Sequence, residues 1–245
     1  MYDKNLKFDI KRHEYSYRGK KLQGVTSFIK KYFNEFDEKA VARKLAKFPN
    51  NKSKKHGVRY FLREWKKARD DGTQVHKEID LFIKAGVEPK HFKAKAACTY
   101  ISNLYRTLGE PVQDSELQLC DIKLGLAGTI DCVISTNVKK EDSIQRELML
   151  IDWKTNKEIK MKSYNNEMAK EPITHLPDCN YSSYCLQLSL YAYMLERMGY
   201  KIGELKLVHL TDIGGTMVYN IPYMRKEVEM ITNDKHNKKG SRKTA

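Results

Sequence analysis

Two short apolar runs, each ending in an aspartate, constrain this chain most. They are Leu126-Ala127-Gly128-Thr129-Ile130-Asp131 and Leu148-Met149-Leu150-Ile151-Asp152, the second continued by Trp153-Lys154. Runs of this length and composition read as buried strands, and neighbouring strands commit the core to a sheet. Strand alternation puts Asp152 and Lys154 on one face. If the strands pair, Asp131 lies beside them. Two converging carboxylates repel and desolvate each other unless a hard cation sits between them. A lysine next to that cation can orient or deprotonate water, which is the equipment for metal-assisted phosphodiester hydrolysis.

The triplet Asp/Glu-x-Lys occurs eight times, for example at Asp9, Glu64, Asp121, Glu158 and Glu204, so it selects nothing alone. Context selects Asp152, because only there does it end an apolar strand that follows a Gly-x-x-Asp strand. Asp121-Ile122-Lys123 leads straight into a turn at Gly125. Surface charges at strand ends are the alternative.

Charge is placed unevenly. Residues 1–69 hold 21 Lys/Arg and 7 Asp/Glu, whereas residues 70–245 hold 25 and 24. Nearly all of the net +15 therefore belongs to the first quarter. A basic lobe beside a neutral lobe with a carboxylate site suggests that one part attracts a polyanion and the other cuts it. Aromatics are interleaved there: Tyr32, Phe33, Phe36, Tyr60, Phe61 and Trp65. Such rings stack on single-stranded bases or fill a core. The 245 residues suffice for one large domain or a core with an added lobe. The five cysteines are odd in number and lack a C-x-x-C pair, so neither a disulfide framework nor a zinc ribbon is suggested. No run of eighteen apolar residues is present and the start lacks the apolar stretch of a secretory signal, so a soluble, intracellular protein without membrane contact is expected.

Periodicity and turn chemistry predict a hairpin over 6–22, a helix from Gly24-Val25-Thr26-Ser27 to Tyr32, and a helix over Glu38–Phe48. A loop is expected over Pro49–Ser53 and a helix from Lys55 to Arg69. Asp71-Gly72 is expected to break that helix and Thr73 to cap the next one. Pro89 is expected to open a further helix to Leu108. Three strands follow as a meander: Glu116–Cys120, Leu126–Ser135 and Leu148–Trp153, with 137–146 as a polar loop. A strong helix spans Ser182–Met198, and strands Glu204–Leu210 and Met217–Ile221 close the fold. This gives a basic lobe over 1–70, a core over 71–232 and a basic, disordered tail over 233–245.

Four other groups are candidates. His76 is either a packed helical histidine or a neutral imidazole ligand beside the aspartates, better suited to manganese than to magnesium. Glu116 either points into the site or is a strand-end surface charge. Gln187 and Tyr191, spaced i, i+4, share a helix face. They either belong to the core, as Leu188 and Leu195 do, or hydrogen-bond a phosphate or the carboxylates without adding charge.

Taken in order, Gly72-Thr73-x-x-His76, Glu116, Gly128-x-x-Asp131, Asp152-Trp153-Lys154 and Gln187-x-x-x-Tyr191 resemble the RecB-like branch of the PD-(D/E)XK nucleases, over residues 72–210. Residues 13–33, from His13-x-Tyr15 to Gly24-Val25-Thr26-Ser27-Phe28-Ile29, look like the entry segment of phage and mitochondrial DNA exonucleases of this branch. Ile130 stands where the superfamily's name has proline, and Asp152 where it often has glutamate.

The resemblance implies an α/β fold with a restriction-endonuclease-like core. A mixed β-sheet of four or five strands would be flanked by helices, with a basic, mainly helical N-terminal lobe. It implies Mg2+ or Mn2+ held by Asp131, Asp152, the carbonyl of Trp153 and His76. Lys154 would act on water and transition-state charge, with Glu116, Gln187 and Tyr191 supporting. The implied activity is a metal-dependent exonuclease on single-stranded DNA ends, with replication or recombination proteins as partners. Nothing follows Cys185 to complete an iron–sulfur motif, so no cluster is expected, and without a Walker motif no nucleotide cofactor is expected. A structure-specific or restriction-like endonuclease is the alternative among enzymes. A catalytically silent nucleic-acid-binding module is the alternative from another class, against which the intact Asp, Asp and Lys set argues.

Overall fold

The computed structural model describes residues 3–240 except 10, 11, 13, 48–56, 110, 111, 141 and 142. His13 and the loop expected at Pro49–Ser53 lie outside the described residues. Three short strands open the chain: β1 (Leu6–Asp9), β2 (Glu14–Tyr17) and β3 (Lys20–Gly24), an antiparallel meander in which Tyr15 faces Phe8 and Leu22. Arg18 and Gly19 both have positive φ, 47° and 79°, as a type I′ hairpin turn requires. α1 (Val25–Ile29) follows directly, with Gly24 at the N-cap position and no side-chain cap. α2 (Glu38–Ala46) is capped by Asp37, whose carboxylate accepts the Ala40 N–H at 2.9 Å.

α3 (Gly57–Ala85) is one 29-residue helix, so the expected break at Asp71-Gly72 is absent. Glycine inside a helix costs about 1 kcal/mol relative to alanine, but its missing side chain is used here. A Cβ on Gly72 would lie 2.8 Å from Thr155 Oγ1, so the helix approaches the chain just past Lys154 closely. Thr73 caps nothing; its hydroxyl donates back to the Arg69 carbonyl at 3.0 Å. α4 (Phe92–Leu108) starts three residues after Pro89, with His91 as its cap, and ends at Gly109, φ 64°.

β4 (Val112–Asp121), β5 (Leu126–Lys140) and β6 (Ser143–Lys154) form the expected meander. Within the stretch expected as a loop, 137–140 continues β5 and 143–146 belongs to β6, with Val138 opposite Gln145. Its polar composition reflects an exposed ribbon. α5 (Asn180–Arg197), β7 (Ile202–Leu210) and β8 (Thr216–Asn220) come next. α6 (Arg225–Gly240) then runs through residues 233–240 of the tail expected to be disordered, and 241–245 lie outside the described residues. Val228, Ile231 and Thr232 are buried, the Tyr32 hydroxyl donates to the Ile231 carbonyl at 3.0 Å, and Lys235 reaches the Leu124 carbonyl at 2.8 Å.

The chain is thus an α/β protein with a mixed eight-stranded sheet flanked by helices. The strand order is β1-β2-β3-β5-β6-β7-β8, and β4 lies on the other edge of β5. The sheet exceeds four or five strands because β3 runs parallel to β5 at Leu126 and Ala127 and brings β1 and β2 with it. One face packs on α1, α5 and α6 through Phe28, Ile130, Leu150, Leu186 and Ile231. The other packs on α3 and α4 through Val75, Ile79, Ile101, Ile151 and Trp153. The described residues of 6–33 therefore belong to the main sheet and core, and residue 70 lies inside α3. No helix among the described residues is long and apolar enough to cross a membrane.

Candidate metal centre

β5 changes neighbours in mid-strand. β3 pairs with Leu126 and Ala127, and β6 pairs from Cys132 onward on the same side. Between them, 128–131 carries no ladder pairing on that side. Side-chain alternation also slips there. Ile130 packs on the α5 side and Cys132 on the α3 side, although residues two apart in a regular strand share a face. Asp131 sits at the slip. Opposite it, Glu116 in β4 has φ 50°, a left-handed conformation that costs a non-glycine residue about 1–3 kcal/mol. Both carboxylates are therefore set by local departures from strand geometry.

His76 reaches the same place from α3, one turn beyond Gly72. Its Nδ1 stands 3.5 Å from Asp131 Oδ2 and 3.7 Å from Glu116 Oε1. One ligand atom from each of His76, Glu116 and Asp131 can be chosen so that all lie within 4.8 Å of one another. Asp152 and Lys154 share the α5 face of β6, as alternation required, and form an ion pair through Asp152 Oδ2. Gln187 donates to Asp152 Oδ1 at 3.1 Å. The Trp153 N–H donates to Asp131 Oδ2 at 2.8 Å, which ties β6 to β5 where the ladder has stopped. In a strand the N–H and C=O of one residue point to the same side, so the Trp153 carbonyl faces the Asp131 side too. The indole itself is buried on the opposite face.

Tyr191 does not reach the carboxylates by hydrogen bond. Its buried ring lies against Gly128, where a Cβ would meet Tyr191 Cε1 at 2.6 Å, and the Thr129 N–H is directed at its hydroxyl. Gly128 is needed for this close approach. Two further residues join the site without having been singled out for it. Tyr184, one turn before Gln187, covers the Lys154 ammonium with its ring at 4.5 Å and donates to Asn156 Oδ1 at 3.1 Å. Tyr15 shares a hydrogen bond of 2.9 Å with Thr129 Oγ1. The i, i+3 spacing of Tyr184 and Gln187 was a legible signal. Nothing in the sequence placed Tyr15 beside Thr129.

The electrostatics are those of a partly compensated acidic site. Burial works against a charge on His76, but Asp131 and Glu116 outweigh it and raise the imidazole to about 10. Burial likewise opposes ionisation of Asp131, yet His76, Lys154 and the Trp153 N–H hold its carboxyl below the ordinary value. Burial lifts Asp152 to about 6 against the pull of Lys154, with Asp131 adding to the lift. Glu116 is raised by burial and by Asp131, against the pull of His76. Lys154 is raised despite burial by Asp152 and Asp131. Protons on His76 and Lys154 thus balance carboxylates that a divalent cation would otherwise balance. Carboxylate oxygens and one imidazole nitrogen fit Mn2+ well and accommodate Mg2+.

Of the N-terminal aromatics, Tyr32 and Phe33 are core residues. Phe36 is 61 % exposed and packs edge-on against half-buried Trp65, with ring centroids 5.5 Å apart. Trp65 continues to Phe61, and Phe61 to Tyr60. Lys30, Lys31, Lys66 and Lys67 are exposed. No protein-family model matches the chain, and no curated protein matches it significantly.

Proposed function

We propose that the chain is a Mg2+- or Mn2+-dependent deoxyribonuclease that hydrolyses DNA from single-stranded ends, built on a restriction-endonuclease-like core of the RecB-like PD-(D/E)XK type. The observation that carries this reading is convergence. His76 from α3, Glu116 from β4 and Asp131 from β5 bring ligand atoms within 4.8 Å of one another at the interruption in the β5 ladder, and the charges of the Asp152/Lys154 pair from β6 act on the same group.

A divalent cation held by Asp131, Asp152, the Trp153 carbonyl and His76 would act as a Lewis acid on the scissile phosphate and acidify a water. Glu116 adds negative charge to the site and orients His76. Gln187 holds Asp152 in place and leaves the other carboxylate oxygen to Lys154. Lys154, kept protonated by the two aspartates, serves as a cationic donor to the attacking water and to charge that develops on the phosphate. Tyr191 fixes β5 through Gly128 and Thr129. The exposed lysines of α2 and α3 and the Phe36–Trp65 pair supply the charge and rings that a single strand uses.

A time course on single and double strands, end-labelled or blocked at both ends, tests this with Mg2+ or Mn2+. The proposal expects mononucleotides from free single-stranded ends and protection by end-blocking. Internal fragments from blocked strands would make the chain an endonuclease. Binding without cleavage under every metal would make it a silent binding module.

A further inference from the structure

The geometry points to Lys93 as a positioning residue for Lys154: with His209, it holds the two successive carbonyls that follow Lys154 and so fixes where that ammonium stands. The inference rests on the hydrolytic reading of the site.

The β6–β7 ladder ends at Lys154 opposite His209. Beyond it, the carbonyls of Thr155 and Asn156 have no strand partner, and each takes a side-chain donor instead. Lys93 Nζ donates to the Thr155 carbonyl at 2.9 Å, and His209 Nε2 donates to the Asn156 carbonyl at 2.6 Å. The His209 bond places a proton on Nε2. Its Nδ1 is buried with no hydrogen-bond partner. Tyr184 holds the Asn156 side chain and covers Lys154 with the same ring. Gly72 leaves room for Thr155 against α3. Four elements, α3, α4, α5 and β7, thus fix two residues that have no chemistry of their own.

Lys93 is the unexpected member. Only 5 % of it is exposed, and a buried ammonium is expensive to desolvate. Its acidic partner, Asp212 at 2.6 Å, is itself 62 % exposed in its side chain, so the pair lies at the rim. An apolar residue would fill the first turn of α4 at lower cost. What the ammonium adds is capture of the Thr155 carbonyl, one residue from Lys154.

The test is a double-mutant cycle on the full chain. Single-turnover cleavage of a labelled single strand is measured at saturating Mn2+, and Mn2+ affinity is measured by calorimetry. Lys93→Met should slow cleavage by about 10–100-fold while leaving Mn2+ affinity unchanged. In a Lys154→Ala background it should cost nothing further, because its effect runs through Lys154. His209→Leu should behave the same way, and His209→Gln, which keeps a donor, should recover most of the rate. If Lys93→Met does not fold, the His209 pair carries the same cycle. Equal losses in both backgrounds, or an unchanged rate, would overturn the inference and leave the nuclease reading intact. A wild-type chain that cleaves nothing with either metal would overturn the nuclease reading and this inference with it.

Discussion

Two glycines that look alike in sequence do different work. At Gly128 an added methyl meets the buried ring of Tyr191 at 2.6 Å, and that ring has nowhere to go. Gly128→Ala should cost about 1–3 kcal/mol in urea unfolding and weaken Mn2+ binding, because Asp131 lies three residues on. At Gly72 the methyl meets Thr155 Oγ1 at 2.8 Å and its Cβ at 3.9 Å, a side chain that can clear it by a change of χ1 rotamer. The gain in helix propensity of about 1 kcal/mol offsets that contact, so Gly72→Ala should leave stability within about 1 kcal/mol. A larger loss at Gly72 than at Gly128 would contradict the packing described. His76 gives a second prediction at this scale. Without metal its imidazole titrates near 10, so between pH 7 and 9 it is protonated, and a cation must displace that proton to reach the nitrogen. Mn2+ affinity should therefore rise with pH across that window, and calorimetry in buffers of different ionisation enthalpy should show about one proton released. His76→Gln should abolish the release; its persistence in that variant would assign the proton elsewhere. Lys154→Ala should keep Mn2+ affinity and lose most of the turnover, since Lys154 ligates nothing.

At the scale of elements, the site was legible where spacing alone decides geometry. Asp152 and Lys154 share a face because strands alternate, and Gln187 and Tyr191 share one because helices turn every 3.6 residues. The division of labour between the last two was not legible: Gln187 holds a carboxylate while Tyr191 holds backbone, and only the closeness of Gly128 to α5 separates the roles. Asp71-Gly72 carries ordinary helix-stop chemistry, but the close approach to Thr155 overrides it and α3 runs on. α6 hides in a polar, lysine-rich stretch whose inward stripe, among the described side chains, is Val228, Ile231 and Thr232. The β5–β6 ribbon reads as a loop because neither of its faces meets a core. The basic residues of α3 and of the turn that follows α1 allow a direct test. Changing Lys30, Lys31, Lys66 and Lys67 to Glu should weaken binding to long single strands and flatten its salt dependence, since each phosphate contact releases roughly one counterion. Cleavage of a very short oligonucleotide at saturating concentration should survive better than that of a long one. Unchanged affinity and salt slope would make these lysines a solubility feature.

At the scale of the molecule, a three-layer arrangement explains why one place in the sheet gathers groups from so many elements. α3 lies on one face and α5 on the other, and the two layers reach the same point because β5 exchanges β3 for β6 there. Basic charge collects in the first 69 residues, while the acidic centre lies in the neutral remainder, joined to it through β3 and α3. The central claim is that this centre holds a divalent cation on which phosphodiester cleavage depends. Its most direct test is the cleavage rate of an end-labelled single strand against Mg2+ concentration, for the wild type, Asp131→Asn and Asp152→Asn. The wild type should show saturable metal dependence. Each variant should remain folded, bind DNA without metal at least as well as the wild type, and cleave about 100-fold or more slowly even at saturating Mg2+. Full activity of either variant at saturating Mg2+ would contradict the account.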